Sequence, residues 1–230
     1  MSKYKTILDV ILKLLANKFI YLVGKQIEDR RWEYTYQQYR RRYEISPTFR
    51  FNGPEVLLYG DGRIILQGNS YIGRHSHIQS WSNCEVRIGK NCAISYFVMI
   101  YTMNRLPDQD FGKTKNMGKV IKGNVKIGDN CWIGAYVYVN QGVSIGDNAV
   151  IGVHSTVNRD IPPHSIAVGT PAKVIKFKSY LDEKEMLELA KRYWPSLSST
   201  LKHRFIKKYN ELTCMHAKEI DGRGRASASG

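Results

Sequence analysis

The sequence predicts an all-β solenoid, a three-sided β-helix with an N-terminal helix and a helical cap at the other end. Three observations carry this. An aliphatic residue recurs every sixth position through Ile121, Ile127, Ile133, Val139, Ile145, Ile151 and Val157, with the same phase at Leu66, Ile72 and Ile78 and at Ile88, Ile94 and Ile100. A small residue usually stands four places after the aliphatic, as at Ser70, Ser76, Cys92, Val98, Val125, Cys131, Val137, Val143, Ala149 and Ser155. Gly often follows the aliphatic directly, and Gly-Asp-Asn at 128–130 and 146–148 supplies residues that tolerate left-handed corners. A period of six fits neither a helix face nor an alternating strand. It fits a chain that turns a corner after each flat side and points one apolar side chain inward per side. A sandwich of alternating strands needs a period of two.

Residues 1–28 read as a helix. Ile7, Leu8, Ile11, Leu12, Leu15, Phe19 and Leu22 recur at spacings of three and four, with Lys3, Lys5, Lys13 and Lys18 among them. Such a basic amphipathic helix can pack on the prism or on a partner subunit, or lie in a membrane interface. Residues 29–50 interleave Arg and Tyr (Arg30, Arg31, Trp32, Tyr34, Tyr36, Tyr39, Arg40, Arg41, Arg42, Tyr43), a composition compatible with phosphates, sugars, an acidic lipid surface or a solvated helix face. No RNA-binding motif accompanies it, so nucleic acid is not the expected partner. Gly53-Pro54 punctuates the composition change near residue 51, and coils are expected from there to residue 178. Residues 80–83 interrupt them briefly, and residues 101–119 form a long extruded loop. A loop that the scaffold does not need is usually functional. Helical spacing returns over 179–221, broken at Pro195, and the Gly/Ser/Ala/Arg-rich tail 222–230 reads as disordered.

The 230 residues carry a formal net charge of +15, which favours an anionic partner such as a phosphorylated small molecule or a membrane surface. Four cysteines show no metal spacing, and Cys92 and Cys131 occupy the small inward slot. With no cleavable signal and no long uncharged apolar run, a cytoplasmic setting is expected, extending to the inner face of the membrane.

The stretch from Cys131 to Lys176 resembles the hexapeptide-repeat acyltransferases, in particular the sugar and polysaccharide O-acetyltransferases. The residues that carry the resemblance are Trp132-Ile133-Gly134-Ala135, Gly142-Val143-Ser144-Ile145-Gly146, Val157-Asn158-Arg159-Asp160-Ile161-Pro162-Pro163 and the closing Gly169-Thr170-Pro171-Ala172-Lys173-Val174-Ile175-Lys176. The resemblance covers about residues 55–178. It implies a left-handed parallel β-helix, a homotrimer, and acetyl-CoA in a cleft between neighbouring prisms, with no metal. By matching position it implies cofactor contacts from Trp132 beside the thioester, the backbones of Ala135 and Val153 along the pantetheine arm, and Asn158 and Arg159 near adenine and phosphates. Lys173 and Lys176 would reach the CoA phosphates. Arg and Lys suit such groups chemically.

Acyl transfer to a hydroxyl needs a base, an oxyanion donor and alignment of two substrates. The family's usual base is a His at the start of the long loop. Here that place reads Ile100-Tyr101-Thr102-Met103-Asn104-Arg105, and the loop holds no His. His75 and His77, on a coil below the loop, are the candidate bases, with His154 behind them. Asp108 in the loop is the candidate carboxylate to orient an imidazole or bind sugar hydroxyls, and Asp110 shares that role. Three other readings remain open at this point. They are an N-acetyltransferase of an amino sugar, whose amine needs less help from a base, a non-catalytic hexapeptide scaffold, and a zinc-dependent γ-type carbonic anhydrase, which needs a third His.

Overall fold

The computed structural model describes residues 2–113 and 118–207. The chain winds into a three-sided parallel prism of about five coils, a left-handed β-helix. The first wall stacks Glu44–Ile45, Arg63–Leu66, Glu85–Ile88, Val125–Ile127 and Ser144–Ile145. The second stacks Arg50–Asn52, Tyr71–Gly73, Ala93–Ile94, Trp132–Ile133, Val150–Ile151 and Ser165–Val168, and ends in the antiparallel edge strand Lys173–Phe177. The third stacks Leu57–Tyr59, His77–Gln79, Met99–Tyr101, Tyr138–Val139 and Thr156–Val157. Each wall is in register on its aliphatics: Ile88 faces Ile127 and Ile127 faces Ile145, Ile94 faces Ile133 and Ile133 faces Ile151, and Ile100 faces Val139 and Val139 faces Val157. These side chains are almost wholly buried, and all ten residues of the small slot are buried with them.

One member of the sequence pattern does not belong to it. Ile121 lies in an antiparallel hairpin of Met103–Arg105 with Val120–Lys122 and is 38% exposed. Ile100 pairs directly with Val139, so the walls close behind the extrusion and the hairpin leaves the prism without breaking the stack. Its phase with Ile127 is a coincidence of loop length.

The corners explain the punctuation. Asn91, Asn130 and Asn148 adopt φ near +57°, the region that Asn tolerates. The glycines after the aliphatics serve another purpose, close approach between coils. A Cβ on Gly134, for instance, would lie 2.7 Å from the Val153 nitrogen. The corner between the second and third walls departs from this chemistry. Glu55, His75, Phe97, Tyr136 and His154 occupy it with φ of +56° to +58°. The strained backbone of these larger residues is offset by ring stacking. His75 lies on Phe97, Phe97 on Tyr136 and Tyr136 on His154, each at 4.7 Å and within 12° of parallel.

The first helix, α1 (Ser2–Arg42), runs 14 residues past the stretch that spacing alone marks as helical. The Arg/Tyr segment is its docking end. Tyr36 stacks on Phe51 at 4.2 Å and donates its hydroxyl to the Gly53 carbonyl at 2.6 Å. Arg40 donates to the Ser46 and Phe49 carbonyls, and Tyr43 is buried. The first coil accordingly starts at Glu44, ahead of the composition change near residue 51. At the other end α2 (Glu183–Arg192) begins at an Asp182–Glu185 capping box. A 3-10 turn at Trp194–Ser196 and a further helix over 199–207 follow, and Ala190, Leu197 and Leu201 seal the last coil. The tail 222–230 and Cys214 lie outside the described residues. Cys84, Cys92 and Cys131 are free and buried. Among the described residues no helix is long and apolar enough to cross a membrane, and no group of three His, Cys, Asp or Glu is placed to hold a metal ion.

Candidate active site

Of the residues singled out for the cofactor, Trp132, Ala135 and Val153 lie on the second wall and its corner with the third. Trp132 projects from the second wall, 58% exposed, in register with Ala93 below and Val150 above. Ala135 turns the corner into the third wall and is buried, while Val153 sits one coil higher and is exposed. The His154 N–H donates to the Ala135 carbonyl at 2.9 Å and holds the two corners in step. The segment 169–172 then crosses over the top of this corner. The Thr170 hydroxyl donates to the His154 carbonyl at 3.2 Å, and the Thr156 and Ala172 amides exchange with Gly169 and Thr156 carbonyls.

That crossing delivers Lys173 to Arg159, fourteen positions earlier in the chain. Both reach the carbonyl of Pro195, Lys173 Nζ at 3.0 Å and Arg159 Nη1 at 3.5 Å. The 3-10 turn that presents this carbonyl is pinned by the Ser196 hydroxyl, which donates to the Asp160 carbonyl. Lys202 joins them from the last helix, its ammonium 5.6 Å from the Trp194 ring centre. Partial burial pushes the Lys173 ammonium below the ordinary lysine pKa, and the charges of Arg159 and Lys202 push it the same way. Two cations thus share one neutral carbonyl with a third close enough to be felt by Lys173, an arrangement with unspent capacity for a phosphate. Asn158 is exposed beside Arg159. Lys176 is exposed farther along the edge strand, beyond the register shift between Ile166 and Ala167, and the structure does not bring it to the cluster. Lys202 escaped the sequence reading because its link to Lys173 exists only once the cap folds back over the last coil.

The two candidate bases do not point the same way. His75 sits at the second–third corner, its ring stacked on Phe97 and its Nδ1 2.7 Å from Glu55 Oε2. His77 projects, half-buried, from the third wall, between Leu57 of the coil below and Met99 of the coil above. Its strand lies directly beneath Met99–Tyr101, from which the hairpin departs. His154 closes the top of the ring stack. Asp108 is exposed near the hairpin tip, and Asp110 is engaged with Lys113 Nζ at 3.2 Å. Among the described residues no hydrogen bond or ion pair joins Asp108 to any of these imidazoles.

A cluster at the root of the hairpin was not singled out in the sequence. Tyr59, Tyr101 and Tyr138 project from the third wall. Tyr101 packs edge-on against Tyr138 at 5.3 Å. Burial, and then the neighbouring Tyr59 hydroxyl, push the Tyr101 phenol up to about 12. The Tyr138 hydroxyl lies 3.4 Å from Asn104 Oδ1, and Asn104 Nδ2 donates to Gln141 Oε1 at 2.7 Å. Gln79 Oε1, in the same wall, is buried without a hydrogen-bond partner. The hairpin is bolted to the shorter interruption below it, where the Trp81 N–H donates to Thr102 Oγ1 at 2.8 Å and Lys122 lies over the Trp81 ring. The one available signal was an outward Tyr recurring on the third wall, at Tyr59, Tyr101 and Tyr138.

Comparison with known proteins agrees with the coils. Residues 124–159 match the bacterial transferase hexapeptide (six repeats) family. A putative acetyltransferase of Staphylococcus aureus is 41% identical over 62 residues, 27% of this chain and 31% of that protein. The galactoside O-acetyltransferase of Escherichia coli is 36% identical over 112 residues, 47% of this chain and 54% of that protein. A probable acetyltransferase of Mycobacterium tuberculosis is 36% identical over 133 residues, 58% of this chain and 43% of that protein. The chain therefore spans about a third to a half of the length of the curated relatives it matches. The coils over residues 124–159 are thus similar to hexapeptide-repeat transferases, and over part of its length the chain is similar to proteins named as acetyltransferases.

Proposed function

We propose that this protein transfers an acetyl group from acetyl-CoA to a sugar hydroxyl, as a homotrimer with the cofactor between neighbouring prisms. The observation that carries this reading is the convergence of Arg159, Lys173 and Lys202 above the corner that holds the exposed Trp132 and Val153 and the buried Ala135. An extended amide-bearing arm ending in phosphates matches that arrangement, with backbone groups at the corner and cations above it. Asn158 is assigned to the nucleotide end. Lys176 is left as a longer-range charge. Similarity to a galactoside O-acetyltransferase supports a sugar as acceptor. A sugar of a bacterial surface polysaccharide, or its lipid-linked precursor at the cytoplasmic face of the membrane, is the acceptor class proposed.

His77 is assigned as the general base, because it projects from the wall at the foot of the hairpin while His75 is held in a stack and a carboxylate contact. His77 takes the proton as the sugar oxygen attacks the thioester carbonyl. The tetrahedral intermediate then expels the CoA thiolate, which receives that proton. Asp108 is assigned to the acceptor side, where a carboxylate binds sugar hydroxyls. The test is thiol release from acetyl-CoA against a panel of sugars and amino sugars, with the product's linkage read by mass spectrometry and NMR. An O-acetyl ester formed by the wild type and lost in His77→Ala supports the reading. An amide product that survives His77→Ala replaces it with N-acetylation, and CoA binding without turnover on any acceptor replaces it with a scaffold.

A further inference from the structure

The described part of α1 ahead of its docking end, from Leu15 to Arg31, is an exposed surface. A helix of 41 residues is about 60 Å long, and its docking contacts with the coils begin at Tyr36. From Leu15 to Arg31 every described side chain is exposed, including Leu15 (58%), Phe19 (68%), Ile20 (67%), Leu22 (49%), Val23 (37%) and Ile27 (64%). At about 100° per residue these six fall within an arc of roughly 160°. Lys18 and Lys25 lie just outside one edge of that arc, where Asp29 also falls, and Arg31 borders the other, all of them exposed. Glu28 and Asp29 end the apolar stretch. The ring of Phe19 lies at its centre.

We propose that this face of α1 lies flat in the interface of an anionic lipid bilayer and tethers the prism to it. The breadth of the arc argues for lipid over a second copy of the helix, since a helical seam between copies uses a narrower stripe. The bordering cations are placed as interfacial helices place them, with apolar stems along the buried face and charged heads at the phosphate level. The formal charge of +15 adds attraction to an anionic leaflet and none to a second copy. Among the described residues no helix is long and apolar enough to cross a membrane, and the attachment proposed is peripheral. The inference rests on the helix alone. It gives the transfer reading a location but does not depend on it.

Vesicle flotation with the full chain tests it. The wild type should float with vesicles of phosphatidylcholine mixed with phosphatidylglycerol, remain behind with phosphatidylcholine alone, and release at high salt. The double variant Phe19→Asp/Leu22→Asp should lose at least about tenfold in vesicle affinity, with an unchanged melting temperature. Lys18→Gln and Lys25→Gln should each lose about fivefold. Failure of the wild type to float with anionic vesicles overturns the proposal. So does a double variant that floats like the wild type, or one whose native mass falls, which would place the face between copies. Acetyl transfer to a soluble sugar, measured on the same samples, separates the two readings. An active protein that does not float contradicts the tether only, and a floating protein without turnover contradicts the transferase only.

Discussion

Two corners of the same prism have been built in opposite ways. The second–third corner is unbroken through four coils and is filled by a stack of rings, His75, Phe97, Tyr136 and His154. The third–first corner is opened twice, at 80–83 and by the hairpin after Tyr101, and the two openings are stitched to each other through Thr102 and Trp81. The difference teaches where a solenoid can accept new chain. The walls carry the buried aliphatics and the inter-coil hydrogen bonds, so an insertion that leaves and returns at one corner costs little more than loop closure. The closed corner keeps the coils in register beside the cofactor residues, and the open one supplies groups that the scaffold does not require. The candidate site combines both, a regular track on one edge of the third wall and an irregular hairpin on the other.

Four substitutions and one control sharpen this contrast, in decreasing order of expected effect. His77→Ala, on the wall between the corners, should lower kcat by about 10²–10⁴ if it is the base. Its melting temperature should stay close to wild type, and His154→Ala at the closed corner should leave kcat unchanged. An equal fall in both would dissolve the distinction between wall and corner. Ile94→Ala removes a fully buried side chain from the second wall and should cost about 2–5 kcal/mol in chemical denaturation. Tyr136→Ala breaks the ring stack at both of its contacts and should cost about 0.5–1.5 kcal/mol per lost aromatic pair. A neutral result would mean that the stack is ornament to a corner set by its backbone alone. Asp108→Asn, on the exposed hairpin, should change stability by less than about 0.5 kcal/mol. Its effect should appear instead in the KM for the sugar.

Lysine titration adds a pH test at the cationic cluster. Lys173 in the free protein has its pKa lowered, by burial first and then by Arg159 and Lys202. A bound phosphate favours the charged ammonium and raises that pKa again. Affinity for CoA should therefore be fully present below the lowered pKa and fall as pH rises through the bound value. Binding there should take up protons, which calorimetry in buffers of different ionisation heat will show. Lys173→Arg should flatten the profile.

The walls were legible because an inward aliphatic every six residues is a condition of closing each side, and the chain meets it at nearly every coil. The limits are equally physical. Ile121 kept the phase without the environment, since spacing along the chain cannot tell a wall from a hairpin that happens to return in step. The helix was read as ending near residue 28 because Arg and Tyr dominate from there. Tyr36, Tyr39 and Arg40 in fact face the first coil, a contact that forms only when residues 50–53 fold back under them. In the site, Arg159 and Lys173 could be matched by motif, but their meeting at Pro195 and the arrival of Lys202 depend on the cap. The ring stack was invisible in sequence because its members are separated by 18 to 39 positions and occupy slots where Asn or Gly was expected.

The central claim is that the cationic cluster holds the phosphates of CoA, and titration calorimetry with acetyl-CoA measures it directly. The account predicts saturable binding by the wild type, weakened by about 10–100-fold in each of Arg159→Ala and Lys173→Ala for the loss of a charged hydrogen bond worth about 1.5–3 kcal/mol. Wild-type protein that is folded and does not bind acetyl-CoA, or binding that is indifferent to both substitutions, would contradict it.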